Sequence, residues 1–199
     1  MKKNAFLLTI LSVVLLMATS CAKLPQAELD AAKASLETAK AAEADRYLAA
    51  EYNALQDSLN AVTVAIEAEG SKSSFSRNYE ATKNQLVQIS ADATALVAQA
   101  EERKVQVRDE VQQSLVALSY LITEDKTLLA EAPKGKEGKE ALEAIENDIT
   151  IIEASVNEIN TLISNGDYQT AQDKVSASTV KAEAIKVELT NAISKVKKG

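Results

Sequence analysis

Apolar residues recur along this chain at alternating intervals of three and four, the spacing that holds one stripe of an α-helix against a partner. The plainest stripe is Leu142, Ile145, Ile149, Ile152, Val156, Ile159 and Ile163. Tyr168, Ala171, Val175, Ser178, Ala182, Ile185, Leu189, Ala192 and Val196 repeat the spacing, with one serine inside the series. Burying the aliphatics of the first stripe contributes roughly 10–20 kcal/mol gross, at about 1.5–3 kcal/mol each. A helix alone in water forgoes nearly all of it. The two segments are therefore predicted to pair antiparallel across Asn165-Gly166-Asp167, with Gly166 as the helix stop and Asp167 as the next N-cap.

The N-terminal half shows the same spacing with breaks in phase. Leu29, Ala32, Leu36 and Ala39 share one stripe; Leu48, Tyr52, Leu55, Leu59, Val62 and Ile66 share another. The phase changes near Ala44-Asp45-Arg46-Tyr47, where either the chain turns with Asp45 as a cap or one helix continues with a shifted seam. The turn is the favoured expectation. From about Ser74 to Glu131 a second long segment carries Leu86, Ile89, Ala93, Leu96 and Ala100, then places Arg103 where an apolar residue is due. Val107, Val111, Leu115, Leu118, Ile122 and Leu129 resume in a different phase, a stutter that rotates the buried face. As one helix of about 58 residues this segment would run about 87 Å, at 1.5 Å per residue.

Turn-forming residues support this division. The chain has only five Gly and two Pro, and its aromatics amount to 4 %, which argues against a many-stranded sheet. Gly70 opens one loop, Pro133, Gly135 and Gly138 cluster in another, and Gly166 marks a third. The predicted architecture is all-α: an elongated antiparallel helical bundle, built as two three-helix bundles sharing a long central helix. Its N-terminal bundle would cover residues 25–102 and its C-terminal bundle 103–199. Tyr79 and Tyr168 each stand at the start of a helix that continues into Ala-rich heptads, which suggests a duplication with each ring closing a bundle end.

Residues ahead of the first helix form an address. Lys2 and Lys3 precede an uncharged apolar run from Ala5 to Met17, typical of a signal-peptide core and too short to span a bilayer. The run ends in Ala18-Thr19-Ser20-Cys21, which contains the only Cys of the chain. This tetrapeptide resembles the lipobox of bacterial lipoproteins, with Ala18 where Leu is usual. The resemblance implies a signal peptide over residues 1–20 and a lipidated linker over 21–24. Cys21 would carry acyl chains (palmitate among them) on its sulfur and its new amino group. An ordinary secretory signal followed by a spare Cys is the alternative. Two or more acyl chains give stable anchoring where one does not. Ala22 differs from the Asp that retains enteric lipoproteins at the inner membrane, so the analogy favours the outer membrane.

Charge and composition narrow the chemistry further. Loss of Lys2 and Lys3 with the signal takes the net charge from −7 to −9. Such a body has no electrostatic reason to bind nucleic acid and is repelled by anionic lipid, so attachment would rest on the acyl chains. The absence of His removes the commonest catalytic acid/base and the commonest zinc ligand. One Cys excludes an internal disulfide. No glycine-rich phosphate cradle is present. Glu101 with Glu102, and Asp109 with Glu110, are paired acids, but neighbours on a helix diverge by about 100°; they read as a solvated face. Asn165-Gly166-Asp167 lacks the spacing of a calcium loop and reads as a turn. Lys195, Lys197 and Lys198 complement a helix C-terminus. No catalytic residue, metal site or non-covalent cofactor is expected.

Ala27-Glu28-Leu29-Asp30-Ala31-Ala32-Lys33 and Arg46-Tyr47-Leu48-Ala49-Ala50-Glu51-Tyr52-Asn53-Ala54-Leu55 resemble an Ala-rich family of bacterial envelope lipoproteins known only as a domain of unknown function. Some members precede an OmpA-like peptidoglycan-binding domain. The family pattern has Tyr-Ala-Pro where this chain has Tyr47-Leu48-Ala49. Gly166-Asp167-Tyr168 followed by Ala171 is similar to that family's last helix, itself tetratricopeptide-like. The resemblance implies a helical fold in the envelope and no activity. The functional expectation is a lipid-anchored scaffold or interaction protein, bound to the membrane through its lipid and to an unknown envelope protein. It would sit on the periplasmic side of the outer membrane; the alternative is a surface-exposed adhesin or antigen. An enzyme or small-ligand-binding protein is the third possibility. Oligomeric state is left open by the sequence.

Overall fold

The computed structural model describes residues 23–133, 135 and 138–198, the last three of these (196–198) by their backbone alone. The segment 1–20 expected to be a signal peptide, Cys21 and the side chains of Val196, Lys197 and Lys198 lie outside the described residues. Among the described residues six helices follow in order: α1 (Gln26–Ala41), α2 (Ala44–Tyr47), α3 (Ala49–Gly70), α4 (Glu80–Glu131), α5 (Lys139–Ser164) and α6 (Tyr168–Lys198). No strand occurs among the described residues, and the fold is an all-α helical bundle. It divides into two compact units between Glu101 and Glu102, inside the uninterrupted α4.

The N-terminal unit packs α1, α2, α3 and the first part of α4 around one core. Leu29, Leu36, Tyr52, Leu59, Val62, Ile66, Leu86, Ile89 and Leu96 are buried together, with Leu48, Leu55 and Val97 partly buried against them. Ala32, Ala39, Ala93 and Ala100 are fully buried between these larger side chains, where small residues let helices approach closely. The seam of alternating three and four spacings is thus the buried one.

The chain does turn after α1, but Asp45 is not its cap. The reversal is at Glu43, which takes the left-handed conformation with φ 62°. Its amide bonds back to Lys40 O at 2.8 Å, and Ala42 N–H bonds to Thr38 O at 3.1 Å. Asp45 sits in the first turn of the one-turn helix α2. A left-handed residue reverses direction within a single position and drops Ala44, fully buried, into the core. A second break at Leu48 (φ −138°) then resets the phase for α3.

Helix α4 starts at Glu80, later than the Ser74 expected, and has 52 residues instead of about 58. Asn78 decides the start: its Oδ1 accepts from Glu80 N–H at 2.9 Å, while its own N–H donates to Glu69 Oε2 at 3.1 Å. These bonds hold the intervening segment as a loop tied to the end of α3. Tyr79 is buried, and a Cβ built on Gly70 would lie 3.5 Å from its hydroxyl. The ring belongs to the core cluster of the N-terminal unit, immediately before α4 begins.

The C-terminal unit packs the remainder of α4 with α5 and α6. Val107, Val111, Leu118, Ile152, Ile159, Val175 and Leu189 are its largest fully buried apolar side chains. Arg103, at the stutter, turns outward and its Nη1 donates to Glu110 Oε1 at 2.9 Å. The α5–α6 turn closes by paired bonds, Asp167 N–H to Leu162 O at 2.9 Å and Gly166 N–H to Ile163 O at 3.1 Å. Gly166 takes φ +78° there, a conformation that costs any side-chain-bearing residue about 1–2 kcal/mol.

Candidate functional site

Among the side chains singled out for chemistry, none converges on a common point. Glu101 and Glu102 are exposed on α4. Asp109 Oδ1 accepts from Arg108 at 2.8 Å, and Glu110 accepts from Arg103 and, through Oε2, from Gln172 Nε2 on α6 at 2.9 Å. Asp109 and Glu110 are therefore engaged by cations and an amide of their own chain. No group of three or more His, Cys, Asp or Glu able to hold a metal lies among the described residues. Asn165, Gly166 and Asp167 form the turn between α5 and α6. Lys195 is exposed near the end of α6. No helix among the described residues is long and apolar enough to cross a membrane.

The most unusual chemistry lies where none was expected, at Asp125 in the middle of the C-terminal unit. Asp125 is fully buried, and neither carboxylate oxygen has a hydrogen-bond partner. Its direction follows from its neighbours in sequence. Glu124 Oε2 accepts from Lys186 Nζ on α6 at 2.8 Å, and Lys126 Nζ donates to Glu153 Oε1 on α5 at 2.6 Å. Successive residues step about 100° around a helix. With residue 124 turned to α6 and residue 126 to α5, residue 125 points between the two, into the seam.

Burial raises the Asp125 carboxyl from 3.8 to about 6, with the negative Glu124 adding to the rise and Lys186 opposing it. The sequence carries a trace of this position. Ile122 and Leu129 are seven residues apart, and the missing seam member between them, three residues after one and four before the other, is Asp125. A search that follows only apolar residues passes over it.

Beside this layer lies an open groove of about 690 Å³ between α4 and α5. Leu129, Leu142 and Ile149 form its floor, and Lys126, Glu146 and Glu153 its rim. It is an apolar trough edged by charges, two of which are already paired with each other. Elsewhere the helices meet through small polar contacts. Ser35 Oγ and Ser90 Oγ lie 2.8 Å apart between α1 and α4, as do Ser155 Oγ and Ser178 Oγ between α5 and α6.

Two carboxylates are shifted in the opposite direction from Asp125. Its own backbone N–H and then Lys83, at 3.1 Å, hold Glu28 below the usual glutamate range. Lys72 and then the Asn78 amide do the same for Glu69. Comparison with protein families, with characterised proteins and with solved structures finds no match for this chain.

Proposed function

We propose that this protein is a lipid-anchored helical scaffold of the bacterial cell envelope, acylated at Cys21, held at the outer membrane, and engaged with an envelope partner rather than with a substrate. The observation that carries the reading is the order of features at the N-terminus. A basic start, an apolar run without charge and small residues end in the single cysteine of the chain, five positions before α1 begins at Gln26. That leaves a short tether between acyl chains and helices. The helical body supports the reading in a second way. The heptad stripes of both units are consumed in their own cores, while outward faces carry acids and bases interspersed, as on Lys181, Glu183, Lys186 and Glu188.

Metabolic labelling with a clickable palmitate analogue tests the anchor. The native chain incorporates label and fractionates with membranes; Cys21→Ala takes up none and moves to the soluble fraction. Label on the alanine variant, or a native chain that is secreted without label, overturns the reading. Photo-crosslinking from exposed positions of α4 and α6 in intact cells then identifies the partner. Protease treatment of intact cells separates the two orientations, since a chain facing the periplasm survives and a surface adhesin is cleaved.

A further inference from the structure

The seam of the C-terminal unit contains a group that no scaffold requires. Asp125 is fully buried with both oxygens unpartnered, whereas buried carboxylates are ordinarily paired or hydrogen-bonded. The charged groups near its level are bonded to one another or exposed, and none hydrogen-bonds it, although Lys186 favours its ionised form. On α4 itself Glu124 and Lys126 flank it; from α6 Lys186 bonds Glu124, and from α5 Glu153 bonds Lys126. Glu146 and Asp148 on α5 and Glu183 on α6 are exposed. Ile122 is buried one turn before it and Leu129 is half-buried one turn after, while Ile152 and Ile185 are buried on the helices opposite. A carboxyl enclosed in this way is tolerated when neutral. Ionised, it must draw in water or push the helices apart.

We propose that Asp125 makes the C-terminal unit a proton-responsive element, closed most tightly when the carboxyl is protonated and loosened between α5 and α6 when it ionises. The sign follows from linkage. Because the folded unit holds the proton more firmly than the unfolded chain, with a carboxyl at about 6 against 3.8, this contribution is complete below the unfolded value. It is lost as pH rises through the folded value and stays lost above it. Between pH 7.5 and pH 5 the opening equilibrium of this unit falls about ten-fold, roughly one unit of titration below the folded value. The window is clean. The sequence has no His, the one side chain whose ordinary titration falls there. The lowered carboxylates Glu28 and Glu69 titrate below it.

Hydrogen exchange on the full chain at pH 5.0 and 7.5, corrected for intrinsic rates, tests the device. Amides of 107–125, 145–159 and 171–189 gain about ten-fold protection at the lower pH, while those of 29–66 in the N-terminal unit do not change. In Asp125→Asn, which keeps the shape and cannot ionise, the pH step in the C-terminal unit disappears. An unchanged step in that variant, or no step in the native chain, overturns the proposal. Should the asparagine variant not fold, the ¹³C carboxyl resonance of Asp125 in the native chain decides alone. A midpoint near 6 supports the device, and a midpoint near 4 removes it.

Discussion

Ser155 on α5 and Ser178 on α6 meet with their hydroxyl oxygens 2.8 Å apart. Ser155 already donates its one hydroxyl proton to the Ile152 carbonyl at 2.7 Å, so the proton between the two serines belongs to Ser178. Ser178 is the serine in the otherwise apolar stripe of α6, and it is buried. The pair is therefore directional: removing the acceptor strands a buried donor, and removing the donor strands nothing that must donate. Ser155→Ala is expected to cost about 1–2 kcal/mol and Ser178→Ala about 0.5–1 kcal/mol. Denaturant unfolding of the two single variants and the double variant checks this, with the double costing less than the sum of the singles.

Gly166 stands at φ +78° in the α5–α6 turn, and a Cβ added there meets nothing within 4 Å. Crowding therefore plays no part, and Gly166→Ala isolates the conformational cost, expected at about 1–2 kcal/mol. Gly135→Ala is the control: space is equally open and its φ is not in the left-handed region. It should leave the unfolding midpoint within the error of the native chain.

Leu86 and Leu118 are both fully buried on α4, one in each unit. Truncating either to Ala removes apolar contact and leaves a cavity, for an expected loss of about 2–5 kcal/mol. The location of the damage distinguishes them. Leu86→Ala should first weaken amide protection over 29–66, and Leu118→Ala over 145–189.

Glu69 gives a pH dependence opposite in sign to that of Asp125. Lys72 and the Asn78 amide hold its carboxyl below the ordinary 4.5. Its contribution is present above the unfolded value and is lost as pH falls through the folded one. The Asn78 amide, which donates to Glu69 at 3.1 Å, should accordingly lose protection on acidification below pH 4.5, and in Glu69→Gln should respond to acid much less.

Exposed inter-helix ion pairs contribute little by comparison. Lys83–Glu28, Lys126–Glu153, Lys174–Glu158 and Lys186–Glu124 all keep a substantial part of their side chains in solvent. Pairs of this kind are worth about 0.2–1 kcal/mol and are screened by salt. Raising salt from 10 mM to 1 M should shift stability by less than the loss expected for Leu118→Ala. A larger loss would mean that these pairs, and not the seams, hold the units together.

The stripes Leu142–Ile163 and Tyr168–Leu189 were legible in the sequence because burial in a helical bundle imposes the 3.5-residue period on side-chain type. So was the α5–α6 turn, since a left-handed stop selects Gly. The turn at Glu43 was less so. Nothing in a glutamate announces a left-handed backbone, and the phase change between Ala39 and Leu48 only bounded its position. The start of α4 was hidden for a related reason. Ser74 and Asn78 are both capable N-caps, and the choice fell to Asn78 because Glu69, at the end of α3, is within reach of its amide.

Residue pattern alone dictates that this chain folds as helices, where most of them stop, and which face each one buries. Those properties follow from local geometry and from the cost of leaving a greasy stripe in water. The enclosure of Asp125 comes instead from the packing of α4 with α5 and α6. Lys186 bonds Glu124 and Glu153 bonds Lys126, leaving the acid between them buried without a hydrogen-bond partner. An aspartate's meaning lies in what surrounds it, and those surroundings exist only after distant segments have packed.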